Sequence, residues 1–185
     1  MRIVAGYLGG RNIESPRNNS THPMSEKMRG ALFNALGDIN GLSVFDPFAG
    51  TGACSFEAIS RNAKNALLIE ANTDSFKTIM INAKALAVTD KIVAKRGNCA
   101  GWSSNNKDQQ FDLVIADPPY KPKDLDLHLA FKLSKHVVDG GLFVLSAPAS
   151  QQETVTLRSK KHPELSLLSH KKYGDGSLYF YRKTL

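Results

Sequence analysis

The sequence is poor in the features that staple a chain or anchor it in a membrane. Its 185 residues include only two cysteines, Cys54 and Cys99. They lie far apart and make no C-x-x-C pair, which argues against a disulfide framework and against a zinc site. The five histidines (His22, His128, His136, His162, His170) are scattered, none at ligand spacing from another His or a Cys, so no metal is expected. Long apolar runs are missing as well. Stretches such as 66–69 and 142–145 fall far short of the roughly 20 residues needed to cross a bilayer. The start, Met1-Arg2-Ile3-Val4-Ala5-Gly6-Tyr7, lacks the apolar core and small-residue cleavage site of a signal peptide. These absences predict a cytoplasmic protein with no membrane partner.

What is present suits a globular domain. Hydrophobic residues make up 42% and charged residues 22%, as in soluble folded proteins. The length fits one domain over 1–185, with 1–21 as an N-terminal extension and 22–185 as the core. The formal net charge is +7. Lys and Arg gather near the start (Arg2, Arg11, Arg17, Lys27, Arg29) and near the end (Arg158, Lys160, Lys161, Lys171, Lys172, Arg182, Lys183). Such a balance suits a polyanionic partner, because phosphates attract these side chains and binding releases counterions.

Periodicity orders the chain. Residues 2–8 and 11–14 flank Gly9-Gly10 and read as a hairpin with a tight turn. A helix is predicted over 25–36, with Met28, Ala31, Leu32, Ala35 and Leu36 on one face, Ser25 as its cap and Gly37 as its stop. From 42 onward short apolar runs alternate with helical patterns, the signature of a sheet with helices on both faces. Strands are predicted at 42–46, 66–69, 92–95, 111–116 and 141–146, with helices at 53–62, 73–86 and 124–135. The helix at 73–86 should face inward through Phe76, Ile79, Met80, Ala83 and Leu86. Residues 18–21 and 103–106 read as loops, and 147–161 as an ill-formed helix. The runs 164–170 and 177–182, around Tyr173-Gly174-Asp175-Gly176, form an antiparallel hairpin at the sheet edge.

Two constellations carry chemistry. The first is Asp46-Pro47-Phe48-Ala49-Gly50-Thr51-Gly52, between a strand and a helix, with Glu70 ending the next strand. Glycines there let the chain turn and let a ligand approach the backbone. Ligands of open α/β sheets bind beyond the carboxyl ends of the strands. A dinucleotide would favour a third glycine, but Ala53, Cys54 and Ser55 follow instead, and no G-x-x-x-x-G-K-[ST] run exists for a nucleotide phosphate. S-adenosylmethionine (SAM) needs neither. Asp46 could hold its ammonium and Glu70 its ribose hydroxyls, while Asn98 could bond an adenine edge, although taken alone Asn98 reads as an ordinary loop residue.

The second is Asp117-Pro118-Pro119-Tyr120, which follows the apolar run 111–116 at the same sheet edge. The prolines fix φ and hold the backbone rigid. An exocyclic base amine is a weak nucleophile because its lone pair is delocalised into the ring. The Asp117 carboxylate and the Pro118 carbonyl can accept its two N–H groups, aim the lone pair and stabilise charge growing on nitrogen. Tyr120 offers a face for a base taken out of its stack.

Together these motifs resemble the amino-methyltransferases of the Rossmann-like SAM-dependent class. More closely, the chain resembles the RsmD family of bacterial 16S rRNA guanine-N2 methyltransferases. The likeness includes Met1–Gly6 with Gly10-Arg11, Ala31-Leu32-Phe33-Asn34, Glu57-Ala58-Ile59-Ser60-Arg61 and Tyr173-Gly174-Asp175. It implies a mostly parallel seven-stranded sheet with an antiparallel edge hairpin and a small N-terminal β-hairpin. It implies SAM against Asp46, Phe48, Gly50 and Gly52, with Glu70, Asn98 and Ser25 also at the cofactor. Asp117, Pro118, Pro119 and Tyr120 would hold the guanine. The substrate would be 16S rRNA in the small ribosomal subunit, reached through Arg2, Arg11, Arg17, Lys27 and Arg29. Three stretches depart from the family pattern: His22-Pro23-Met24 stands for Arg-Pro-Thr, Gly97-Asn98-Cys99 for Gly-Asp-Ala, and Ser146-Ala147-Pro148 for an acidic residue and His. The competing readings are an adenine-N6 methyltransferase of DNA or RNA, a non-catalytic ribosome-assembly factor on the same fold and, more distantly, a nicotinamide dehydrogenase.

Overall fold

A computed structural model describes residues 1–16, 24–120 and 125–184. Arg17, the predicted loop 18–21, His22-Pro23 and the start of the helix predicted at 124 lie outside them. The elements in chain order are α1 (Glu26–Leu36), β1 (Ser43–Asp46), α2 (Ala53–Ser60), β2 (Asn65–Glu70), α3 (Thr73–Ala85), β3 (Ile92–Arg96) and α4 (Cys99–Asn105). Then come β4 (Phe111–Ala116), α5 (Leu125–Lys132), β5 (Val137–Pro148), α6 (Gln152–Ser159), β6 (Leu165–Tyr173) and β7 (Gly176–Lys183). Among the described residues these strands form one seven-stranded sheet, ordered β3-β2-β1-β4-β5-β7-β6. The β1–β2, β2–β3, β1–β4 and β4–β5 pairs are parallel, while β7 runs antiparallel to both β5 and β6. The hairpin is as predicted, but its second strand lies inside the sheet and β6 forms the edge.

The central strands are buried on both faces, so they read as continuous apolar runs, and their period of two sorts them between two cores. Val44, Leu68, Leu113, Ile115, Val144 and Phe180 point to one core, shared with Leu32 and Phe33 of α1, Phe56 and Ile59 of α2 and Ile79 of α3. Phe45, Leu67, Val114, Phe143 and Tyr181 point to the other, with Trp102 of α4, Phe131 of α5 and Val155 of α6. The strand order reverses between β1 and β4. Both strands end there in an aspartate motif, at the switch point where open sheets leave a crevice.

Three local expectations are corrected. The predicted N-terminal hairpin shrinks to a single bridge, Arg2↔Asn12. Ile3 and Ile13 donate across it to the Arg11 and Met1 carbonyls, but three N–H groups go to α2 instead: Val4 and Ala5 donate to Glu57 and Leu8 to the Ser60 hydroxyl. Gly6, at φ +83°, lies so close to Ser60 that a Cβ would come within 1.9 Å of its carbonyl oxygen. The predicted loop 103–106 belongs mostly to α4, which Asn98 caps by accepting the Gly101 N–H at 2.6 Å. Its Trp102 packs 4.6 Å from Phe45, and its Ser103 hydroxyl bonds the buried His136. The inner faces of α1 and α3 are also rotated from those predicted. Arg29, Leu32 and Phe33 are buried while Ala35 is exposed, and Thr78, Ile79 and Asn82 are buried while Met80 is 45% exposed.

Candidate active site

The ends of β1, β2 and β4 surround a cavity of about 460 Å³. Asp46 ends β1 and is buried; its Oδ2 accepts the Ser55 hydroxyl of α2 at 2.9 Å. The following turn carries Gly50 at φ +55° and Gly52 at φ +78°, a region closed to most side chains. Glu70 ends β2 and ties that turn down: its Oε2 accepts the Gly50 N–H at 2.7 Å and its Oε1 the Asn72 N–H at 2.7 Å. Asp117 follows β4, and the Tyr120 hydroxyl lies 2.6 Å from the buried Ser146 hydroxyl at the end of β5.

The electrostatics follow from this crowding. Burial pushes the Asp46 carboxyl up to about 7; the Ser55 hydroxyl opposes the rise, and the nearby Asp117 and Glu70 carboxylates add to it. Burial raises Asp117 to about 6 against a hydrogen bond from Ser146. It also raises Glu70, against the loop N–H groups that bond it. Tyr120 is pushed up to about 12 by burial and by Asp117, so it stays a neutral phenol. Among the described residues the cavity lining has three carboxylates and no Lys, Arg or His. A pocket of this kind favours a cation, since a bound positive charge would let each carboxylate ionise at lower cost.

The family model described as Conserved hypothetical protein 95 matches residues 1–182. The chain belongs to that family. It is the RsmD family whose motifs the sequence carries. Ribosomal RNA small subunit methyltransferase D of Escherichia coli K12 is 31% identical over 128 residues, 65% of this chain and 61% of that protein. The protein of the same name from Buchnera aphidicola subsp. Acyrthosiphon pisum is 32% identical over 119 residues, 64% of this chain and 62% of that one. The chain thus spans about three fifths of the length of these two relatives. The solved structure of the Escherichia coli protein yhhF is similar over 100% of this chain and 98% of its own, with TM-score 0.81 and 25% identity. The Rossmann-like architecture expected from the motifs is therefore present.

This RsmD-family chain brings most of the predicted site residues together. Asp46, Phe48, Gly50, Glu70, Asn98, Asp117, Pro118, Pro119 and Tyr120 all line the cavity. Gly52 and Ser25 do not. Gly52 is a packing glycine: a Cβ would sit 2.7 Å from the Phe56 ring and 3.2 Å from Leu68. Ser25 caps α1 by accepting the Met28 N–H at 3.2 Å, and its neighbour Met24 lines the cavity instead. Asn98 lies at the cavity wall, but its carbonyl oxygen already serves the α4 cap, which leaves its N–H₂ group as the freer end.

The basic residues separate more sharply. Arg29 is not a surface contact. Its side chain is fully buried, its Nε lies 3.5 Å from Glu57 Oε2, and its other nitrogens donate to the carbonyls of Met24 and Arg2. A guanidinium without exposed surface cannot reach a phosphate. Arg2 and Lys27 are exposed, Arg2 pairing with Glu26 at 3.4 Å, and Arg11 donates to the Ala85 carbonyl. The sequence reasoning missed Ser55 and Ser146, the hydroxyls that hold Asp46, Asp117 and Tyr120. Ser146 was visible as a departure from the family pattern; its role follows only from β5 lying beside β4, with Ala116 opposite Leu145.

Proposed function

We propose that this RsmD-family chain is a SAM-dependent methyltransferase acting in the cytoplasm on the exocyclic N2 amine of a guanine in 16S rRNA of the small ribosomal subunit. The observation that carries the reading is the arrangement of Asp46, Glu70 and Asp117 around one cavity with no compensating cation among the described residues, beside Tyr120. The donor set fits SAM. Its ammonium and sulfonium outweigh its single carboxylate, and the carboxylates of the cavity oppose that net positive charge. Each Glu70 oxygen that holds a loop N–H keeps a second acceptor position for a ribose hydroxyl. Family membership and the names of the Escherichia coli and Buchnera relatives support small-subunit rRNA as the substrate.

When bound, SAM supplies a methyl group activated by its sulfonium. The chain supplies the rest. Asp117 and the Pro118 carbonyl accept the two N–H groups of the amine, and Asp117 offsets the positive charge that develops on nitrogen. Ser146 holds Asp117 and the Tyr120 hydroxyl at once, so carboxylate and ring keep a fixed relation. The half-exposed face of Tyr120 stacks the displaced base. Asp46, fixed by Ser55, would oppose the positive charge of the SAM ammonium.

The test is methyl transfer from labelled SAM to small subunits lacking the modification, followed by digestion and mass spectrometry of the nucleosides. N2-methylguanosine is the expected product. N6-methyladenosine would shift the reading to adenine, and SAM binding without transfer to any RNA would support the assembly-factor alternative.

A further inference from the structure

A second cavity, of about 660 Å³, lies on the other side of Tyr120. Pro148, Ala149, Ser150 and Gln151 form one wall, and Lys172 of β6 with Gly174 and Asp175 of the β6–β7 turn form the other. The walls are joined: the Ala149 N–H donates to the Asp175 carbonyl at 2.7 Å, and Pro148 of β5 pairs with Gly176 of β7. Tyr120 is common to both cavities, its hydroxyl held by Ser146.

The two cavities differ in chemistry. The first carries three carboxylates and repels a phosphate. Among the described residues the second is lined by one ammonium, Lys172, and one carboxylate, Asp175, both exposed, together with neutral hydrogen-bonding groups and the flat surfaces of Tyr120 and Pro148. Flat faces, amide edges and a cation are the means by which proteins hold single-stranded nucleotides. A base displaced toward Asp117 remains joined to its neighbours through phosphates. The carboxylate cavity disfavours those phosphates, and among the described residues Lys172 is the cation lining the adjoining space.

We infer that the second cavity is a subsite for the nucleotide adjoining the target base, with the linking phosphate at Lys172 and the neighbouring base against Gln151 and Ser150. The Asp175 carboxylate disfavours phosphate on its own side and so restricts the phosphate to the Lys172 side. The inference rests on the methyltransferase reading and names the substrate feature that reading leaves open: recognition of a dinucleotide step rather than a lone base.

The experiment is a calorimetric or NMR titration of the full chain in the presence of S-adenosylhomocysteine, using guanosine and the dinucleoside monophosphates GpA and ApG. One dinucleotide should bind about tenfold tighter than guanosine, the scale of one stacked base with its phosphate. Lys172→Ala should abolish most of that gain and Asp175→Asn should enlarge it, while the exposed Lys160→Ala and SAM binding should leave it unchanged. The subsite is overturned if neither dinucleotide outbinds guanosine, if the gain survives in a Lys172→Ala/Gln151→Ala double variant, or if Lys160→Ala removes it equally, which would mark bulk charge alone. A dinucleotide gain in a chain that fails to bind SAM would keep the subsite and sink the methyltransferase reading instead.

Discussion

One helix, α2, separates two buried clusters of charge that are resolved in opposite ways. At its first turn Ser55 holds Asp46, which shares its cavity with Glu70 and Asp117 and, among the described residues, with no cation. Toward its other end Glu57, fully buried, is paired with Arg29 at 3.5 Å and with Arg61 at 3.0 Å, and it accepts the Val4 and Ala5 N–H groups at 2.7 and 3.0 Å. The Glu57 cluster is neutralised by the protein itself and latches the N-terminal segment onto the core. The Asp46 cluster has no such partner among the described residues, and its carboxyls are pushed toward the protonated form, a charge balance that a cationic ligand would reverse. The Glu57 arrangement suits stability and the Asp46 arrangement suits binding, although both carboxylates are held by the same eight-residue helix, Glu57 as part of it and Asp46 through the Ser55 hydroxyl.

The comparison breaks first where it is strongest. Arg29→Met should destabilise the fold by about 3–5 kcal/mol, because it removes the fully buried partner of Glu57, leaving Arg61 as its cation, and takes a donor from the Met24 and Arg2 carbonyls. Denaturant unfolding would read this, and SAM affinity of the folded fraction should barely change. A loss below about 1 kcal/mol would mean the pair is dispensable. Next, Asp117→Ala should lower single-turnover methyl transfer by about 100- to 1,000-fold, the scale of losing one charge-stabilising group, with the melting temperature largely kept.

The smaller effects sharpen the contrast. Asp46 titrates near 7 and Asp117 near 6 in the free protein, and a cationic ligand prefers both ionised. SAM affinity should therefore fall by about tenfold as pH drops from 8 to 6, with proton release on binding at pH 6 visible as a buffer-dependent heat. A flat profile would remove Asp46 from the cofactor contact. Asp46→Asn should weaken SAM binding yet stabilise the ligand-free chain at pH 8, by about 1 kcal/mol or ~2–4 °C in Tm. The sign follows from the raised carboxyl. Its contribution to stability is fully present below its ordinary value and is lost as pH rises through about 7, so the gain from Asn should vanish at pH 4.

The cavity was legible because its parts are local. Asp46 to Gly52 and Asp117 to Tyr120 each follow an apolar run directly, and two strands of one parallel sheet end at the same edge whatever lies between them. Polar residues that pack were not legible. Ser103, Ser104 and Asn105 have weak helix propensity, so α4 is explained by the Asn98 cap and by Trp102 against Phe45. The glycines of the turn look alike in the sequence, yet a Cβ at Gly50 meets nothing within 4 Å while one at Gly52 strikes Phe56.

The order of elements apart from α4, the alternation that sends Val44 and Phe45 to opposite cores, and the presence of two acid-bearing strand ends follow from the sequence alone, since backbone periodicity and proline and glycine geometry act over a few residues. Which charges are neutralised was decided by tertiary structure. Arg29 resembles any basic surface residue until α1 packs against α2 and removes it from water, and Ser146 resembles any strand-end serine until β5 lies beside β4. Charge and hydrogen bonding depend on what surrounds a group in space, and neighbours 28 or 26 positions apart in the chain leave no periodic trace in it.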